Sequence, residues 1–187
     1  MKPSIEREKV LVDLFVMSRC PDAVVCELKE VNDIAIITTD YVANLNDSEK
    51  YGVTCKHGEL ECIECLNQDI SLIGTYNHAK KCTNQVLGVT AATTVNITNS
   101  ADDNYSKVDK CVNSKEGRTL LMKSVLKTTM YNVTKSCTMF INQKLRCIRD
   151  GYWYDCDEGH SVEDFVQSIR KAYEKGLSEQ PIRGSNW

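Results

Sequence analysis

The sequence predicts a single domain of the α/β class, on three observations. The apolar, β-branched run Lys9–Met17 is typical of a buried strand. A helical pattern over Ala23–Val31 and a second strand over Asp33–Val42 follow it, and the C-terminal half reads strand, strand, helix. Hydrophobic residues make up 42% of the 187 residues, which is enough to bury a core.

The remaining elements are predicted from local signals. Leu120, Leu121, Val125, Leu126 and Met130 are spaced as on one face of a helix, which predicts a helix over Arg118–Tyr131. Further along, the predictions are a strand at Cys137–Asn142, a hairpin of Leu145–Ile148 and Tyr152–Asp155 around Asp150-Gly151, and a helix from the N-cap Ser161 to about Lys175.

A βαβ unit followed by ββα is the element order of a thioredoxin-like domain, predicted here over residues 8–176 with a tail at 177–187. Between the two halves we expect a cysteine-rich, partly helical insert over about 44–115. Within it, Tyr51–Cys82 shows no clean period, and the polar stretch Ala91–Asp109 is predicted to be a loop.

Charge and hydropathy exclude two function classes as first interpretations. A net charge of −3 gives no general attraction to nucleic acid or to anionic membranes. The longest apolar run, Val10–Met17, is far shorter than the ~20 residues that a membrane-spanning helix needs. We therefore expect no nucleic acid and no membrane among the partners of this protein.

The ten cysteines direct attention to thiol chemistry, but they leave the compartment open. If Met1 is the native start, the charged N-terminus predicts a cytoplasmic or nuclear protein. If the chain is trimmed, a secretory or lysosome- or vacuole-like location is the alternative. Sequons at Asn46, Asn96, Asn104 and Asn132 favour the second slightly.

Cys20 is the strongest candidate for a reactive thiol. It follows a strand and begins a predicted helix, where the helix dipole and Arg19 favour the thiolate, the species that attacks disulfides. A C-x-x-C reductase would have its resolving cysteine at Ala23. Cys26 lies about 10 Å from Cys20 along an ideal helix, farther than the ~7 Å a disulfide allows.

Cys137 is a second candidate partner. It begins the strand that in thioredoxin-like proteins follows a cis-proline facing the active thiol, although no proline occurs here between Pro21 and Pro181. Cys137 could pair with Cys20, or complete a metal site with Cys20 and Cys26.

Two other cysteine patterns have a structural interpretation. Cys147 and Cys156 flank the Asp150-Gly151 turn, and in a hairpin they would lie nearly opposite each other, close enough to cross-link. The spacing Cys62-x2-Cys65-x12-His78-x3-Cys82 is instead that of zinc-finger ligands, so zinc is an alternative for this stretch. No organic cofactor is implied.

The string Cys55-Lys-His-Gly-Glu-Leu-Glu-Cys62 closely resembles the C-Q-H-G-x-x-E-C signature of the gamma-interferon-inducible lysosomal thiol reductase family. Val16–Ala23, Thr134–Thr138 and Arg146–Gly151 resemble the fungal branch of that family. The resemblance implies a thioredoxin-like fold, reduction of protein disulfides, Cys20 as nucleophile, and Cys55 and Cys62 bracing the insert. His57 is then expected to be a hydrogen-bonding residue of the insert, and Cys65, Cys82 and Cys111 are the remaining candidates for structural disulfides.

The predicted function is therefore thiol-disulfide exchange. Cys20 would attack the substrate, and Cys26, Cys137 or an external thiol would resolve the mixed disulfide. The alternative is a redox-inactive thioredoxin-like module that binds proteins and is stabilised by disulfides or zinc. The missing C-x-x-C pair favours the alternative, and Cys20 favours the enzyme.

Overall fold

A five-stranded mixed sheet carries the fold. The computed structural model describes residues 8–22, 33–66, 82 and 103–178. The strands are β1 (Val10–Val16), β2 (Ala35–Tyr41), β3 (Asn44–Leu45), β4 (Val53–Thr54), β5 (Thr138–Ile141), β6 (Lys144–Asp150) and β7 (Tyr152–Tyr154). The helices are α1 (Glu59–Leu66), α2 (Asp103–Val112), α3 (Lys115–Met130) and α4 (Val162–Ser178).

The strand order of the sheet is β2-β1-β5-β6-β7. β1 and β2 are parallel, whereas β5, β6 and β7 form an antiparallel meander that joins β1 through β5. This confirms the predicted strands on both sides of the insert. The helix predicted at Ala23–Val31 lies outside the described residues.

Strand β1 is buried on both faces because apolar cores lie on either side of the sheet. One core contains Val12 and Leu14 from β1 and Phe165 and Ile169 from α4. On the opposite face Phe15 packs with the rings of Tyr131 and Phe140. A strand covered on both faces reads as a continuous apolar run, which is the pattern of residues 9–17.

The cysteine-rich segment forms a core of its own against α3. It is built from Val16, Tyr41, Tyr51, Val53, Val108, Val112, Leu121, Val125 and four half-cystines together with Cys65. β3 and β4 form a separate two-stranded ribbon in this segment. The insert therefore packs against the carboxyl end of β1, where Val16 is fully buried.

A charged cluster ties α3 to the two parallel strands. Lys127 Nζ lies 2.6 Å from Asp13 Oδ1 on β1 and 2.8 Å from Asp40 Oδ2 on β2, and it also donates to Thr38 Oγ1. Burial lowers the pKa of Lys127, but its bonds to Asp13 and Asp40 together outweigh burial and raise that pKa above 10.5. The ammonium is thus retained beside two buried carboxylates.

One prediction for the insert was wrong. The stretch Ala91–Asp109 was predicted to be a loop, but α2 begins at Asp103; Val108, Cys111 and Val112 are buried and Cys111 is bonded to Cys82. Tertiary burial and a cross-link stabilise a helix that polar local sequence did not predict. The stretch Tyr51–Cys82, which shows no clean period, contains β4 and the short helix α1, in agreement with a partly helical insert.

The C-terminal turns follow the sequence with one addition. Gly151 has φ 78° in the predicted hairpin turn, as its left-handed backbone requires. Asn142 and Gln143, which were not predicted to turn, also have positive φ and join β5 to β6. No helix in the described ranges is long and apolar enough to span a bilayer.

Candidate functional site

Cys20 lies in a turn directly after β1, at the carboxyl end of the central strands. Its backbone N–H donates to Met17 O at 3.0 Å, which closes the turn. The side chain is a free thiol of intermediate exposure, and it packs against the cluster of Phe15, Met17 and Val42. The thiol is therefore held on a short, apolar-backed turn with one side open.

The loop before β5 contacts the start of this turn. The Ser136 hydroxyl accepts a hydrogen bond from Met17 N at 3.0 Å, and both residues are buried. The loop contains Cys137, which has φ 53°, an uncommon left-handed conformation for a residue with a Cβ. All peptide bonds in the described ranges are trans.

Asp22 ties the end of the turn to the β6–β7 hairpin. Its Oδ2 accepts from Gly151 N at 2.9 Å, and its Oδ1 lies 2.9 Å from Arg149 Nε. The same Oδ2 lies 4.0 Å from Cys20 Sγ, within the range of a thiol donor. A carboxylate that is paired with a guanidinium thus stands beside the candidate nucleophile.

Glu61 of α1 holds the middle of the turn from the insert side. Its carboxylate is almost fully buried, and Oε1 accepts from Arg19 N at 3.2 Å. The backbone carbonyl of Glu61 accepts from Ser18 Oγ at 3.0 Å. His57 completes the group. Its backbone N–H donates to Glu61 Oε2 at 3.0 Å, and its ring Nδ1 lies 2.8 Å from Glu61 Oε1.

Three disulfides have both of their cysteines among the described residues. They join Cys55 to Cys62, Cys82 to Cys111, and Cys147 to Cys156. The first closes a loop around His57 and Glu61, the second anchors α2, and the third links β6 to the segment after β7.

The other cysteines differ from one another. Cys137 is disulfide-bonded, so it is not a thiol partner for Cys20 in this state. Cys65 is a buried thiol that donates to Ser18 Oγ at 3.6 Å. Ser18 lies two residues before Cys20 in the chain. Cys26, the other predicted resolving cysteine, lies outside the described residues.

The residues of the alternative zinc site do not come together as thiols. Cys62 and Cys82 are bonded to different partners, Cys55 and Cys111, and His78 lies outside the described residues. A metal-bound cysteine must be a thiolate, so these two disulfides would have to be reduced before zinc could bind. Within the ranges that the structure covers, no three His, Cys, Asp or Glu side chains form a metal-binding group.

A cavity of about 440 Å³ opens beside the Cys20 turn. Its walls come from the ends of β1 and β2, from β4 and from the loop after α3, including Met17, Val42, Thr54 and Val133. Met17 and Val42 also belong to the cluster against which Cys20 packs. The cavity therefore shares two of its wall residues with the cluster that backs the thiol.

A larger cavity, of about 550 Å³, lies between β6 and α4. Arg146, Glu158, Ser168 and Lys171 line it. It contains no cysteine and none of the predicted site residues, so its size does not make it the site of thiol chemistry.

Comparisons with known proteins decide the fold. No known family profile matches the chain, and no curated protein matches it. Among solved structures, an oxidised DsbA1 variant is 14% identical, with 95% of this chain and 91% of that chain covered and a TM-score of 0.53. The oxidoreductase NmDsbA1 from N. meningitidis is 16% identical, with coverages of 95% and 89% and a TM-score of 0.50.

The fold is thioredoxin-like. In a thioredoxin-like protein the turn after the first strand of the βαβ unit and the loop before the antiparallel hairpin face each other, and here these are the Cys20 turn and the Ser136–Cys137 loop. The Met17–Ser136 hydrogen bond joins them directly.

Sequence reasoning missed three residues of this site. Ser136, Asp22 and Glu61 each bond to the turn that presents Cys20. Two signals were available: Glu61 stands in the Cys55–Cys62 signature string, and Asp22 is two residues from the candidate nucleophile. Ser136 had no local signal beyond its place beside Cys137.

Proposed function

We propose that this protein is a thiol-disulfide oxidoreductase of the gamma-interferon-inducible lysosomal thiol reductase type, with protein disulfides as substrates. The observation that carries the proposal is the Cys20 thiol, which is free, half-buried and presented on a turn bonded to three parts of the chain. The fold shared with NmDsbA1, an oxidoreductase, supports the proposal.

The reaction follows ordinary disulfide exchange. The Cys20 thiolate attacks one sulfur of the substrate disulfide, a Cys20–substrate disulfide forms, and the other substrate sulfur leaves as a thiolate that takes up a proton. A low-molecular-weight thiol then attacks Cys20 Sγ and releases the second substrate thiol. A second molecule of that thiol restores Cys20, so two external thiols are oxidised to one disulfide while the substrate disulfide gains two electrons.

An external thiol is the resolving group that best fits the described residues. Ala23 occupies the position of a second C-x-x-C cysteine, and Cys137 is disulfide-bonded. Cys137 becomes a resolving thiol only after its own disulfide is reduced, and Cys26 remains a predicted resolving residue. The monothiol cycle needs neither of them.

The test is reduction of a protein disulfide, such as those of insulin, in the presence of glutathione. We expect wild-type protein to accelerate the reaction and Cys20→Ser to abolish the acceleration, because the nucleophile is lost. Cys65→Ser is the matched control, since it removes the buried thiol and leaves the turn thiol in place. Equal rates for wild type and Cys20→Ser would overturn the proposal.

The second candidate is the redox-inactive binding module, and Ala23 favours it. Ala23 stands where a C-x-x-C pair has its second cysteine, so the sequence has no cysteine at the usual resolving position. Mass spectrometry after alkylation separates the two candidates: Cys20 that reacts no faster than the buried Cys65 near neutral pH is not a nucleophile, and the module is then the better description.

A further inference from the structure

Glu61 is buried to an extent that stability alone does not explain. Its side chain is 1% exposed in α1, a helix of eight residues. An ionised carboxylate is costly to bury even when it is fully bonded, and an apolar side chain of similar volume often stabilises a fold as well or better. A buried carboxylate with several hydrogen bonds therefore points to a role other than packing.

The bonds of Glu61 converge on the turn that carries Cys20. Its backbone carbonyl accepts from Ser18 Oγ at 3.0 Å, and its Oε1 accepts from Arg19 N at 3.2 Å. The two donors are one and two residues before Cys20. Glu61 thus fixes a side chain and a main-chain group of the turn at once, which sets the direction in which the next residue points.

His57 links this anchor to the surface. Its ring is about one third exposed, and its Nδ1 lies 2.8 Å from the same Oε1 that accepts from Arg19 N. Its backbone N–H donates a hydrogen bond to Glu61 Oε2 at 3.0 Å. Because His57 holds both oxygens of the carboxylate, it fixes the rotamer in which Glu61 reaches Arg19.

We propose that Glu61 and His57 are positioning residues for the Cys20 thiol, acting through the Ser18–Arg19 turn. The role rests on the proposed function, because it assumes that Cys20 is the nucleophile. It assigns a function to His57 and Glu61, two residues of the Cys55–Cys62 string that are not cysteines. It also explains why the string lies next to the active turn although about 40 residues separate them in the chain, 42 for the Arg19–Glu61 pair.

The deciding variants are Glu61→Leu and Glu61→Gln. Leucine fills the space but accepts no hydrogen bond, whereas the glutamine Oε1 still accepts from Arg19 N. We expect kcat/KM for disulfide reduction to fall by about tenfold in Glu61→Leu, since small displacements of a reacting group are costly, and to stay within about threefold of wild type in Glu61→Gln. His57→Phe keeps an aromatic ring but lacks Nδ1, and we expect its kcat/KM to lie between those of Glu61→Leu and Glu61→Gln.

A second readout separates positioning from general loosening. The pH profile of Cys20 alkylation, followed by mass spectrometry, should shift in Glu61→Leu and return toward wild type in Glu61→Gln. Glu59→Leu is the matched control, because Glu59 is an exposed carboxylate on the same helix, and it should leave rate and profile unchanged. Circular dichroism confirms folding; if Glu61→Leu is unfolded, Glu61→Gln and His57→Phe decide.

The outcomes distinguish the two proposals. An unchanged Cys20 alkylation profile in folded Glu61→Leu, or equal losses in Glu61→Leu and Glu61→Gln, would overturn the positioning role. A wild-type protein without reductase activity would overturn the proposed function only, because the alkylation profile is measured without a disulfide substrate and still decides the role of Glu61.

Discussion

Asp22 places a carboxylate beside the Cys20 thiol. Its Oδ2 lies 4.0 Å from Sγ, and its other oxygen pairs with Arg149. Two unit charges at this distance interact by about 1 kcal/mol in water and by more near a protein surface. Removing the carboxylate charge therefore removes a repulsion between Asp22 and a sulfur anion that attacks an alkylating reagent, and it leaves Arg149 without a counter-ion beside the turn.

We expect Asp22→Asn to raise the rate of Cys20 alkylation near neutral pH by about fivefold, which corresponds to the ~1 kcal/mol of the charge that is removed. Asparagine keeps an acceptor for Gly151 N, so the turn stays tied to the hairpin. Asp150→Asn is the control, because Asp150 lies on the same hairpin and pairs with Lys135 instead. Slower alkylation of Asp22→Asn would contradict the electrostatic argument.

At this scale the sequence indicates Cys20 as a candidate, but it does not indicate the residues that hold the Cys20 turn. Cys20 could be chosen because strand, cysteine and proline are adjacent in the chain. The burial of Glu61 could not be predicted, because it depends on a turn that lies 42 residues away. A signature string marks such a residue without saying which part of the fold it contacts.

Helix α4 shows how an element depends on its first turn. Ser161 Oγ accepts from Asp164 N at 3.2 Å, and Asp164 Oδ2 accepts from Ser161 N at 2.9 Å, which is a reciprocal capping box. A Cβ at Gly159 would clash with this carboxylate. The backbone and hydroxyl hydrogen bonds from Ser161 hold the pKa of Asp164 below its ordinary value of 3.8.

This lowered pKa makes α4 sensitive to acid. A depressed carboxyl pKa contributes stability that is present above 3.8 and lost as the pH falls through the folded value. We expect Asp164→Asn to reduce the loss of unfolding free energy below pH 3.8 relative to wild type, measured by urea denaturation at several pH values. Glu163→Gln, an exposed carboxylate outside the capping box, should keep more of the wild-type slope; equal slopes for wild type and Asp164→Asn would contradict the assignment.

Elements with a clear local pattern were predicted and the others were not. The apolar run of β1 and the Asp150-Gly151 turn carry their structure in adjacent residues. α2 does not: its sequence is polar, and it is a helix because Val108 and Cys111 are buried against α3 and Cys82. Local propensity cannot report a contact made by a cross-link.

The whole molecule is joined across its layers by Lys127. This side chain on α3 reaches Asp13 in β1 and Asp40 in β2, and Asp13 is completely buried. Removing the cation leaves two carboxylates without their counter-ion in the interior. Such uncompensated charges cost more than the ion pair itself contributes.

We expect Lys127→Met to lower the free energy of unfolding by about 2 kcal/mol, less than for a fully buried pair because Lys127 is one third exposed. Urea denaturation measures the change. Lys123→Met, an exposed lysine one turn earlier on α3, is the matched control and should be close to neutral. A Lys127→Met protein as stable as its control would show that water, rather than lysine, compensates the carboxylates.

The bonds that hold the Cys20 turn have a consequence for biosynthesis. They join residues 42, 119 and 129 positions apart, so Cys20 leaves the ribosome long before Ser136 and Gly151 exist. Until then it is an untethered thiol on a nascent chain, with six more cysteines emerging before Ser136. Contacts between distant residues are slow to form in folding. The other cysteines therefore have time to pair with one another, or with Cys20, before the contacts that hold the Cys20 turn are made.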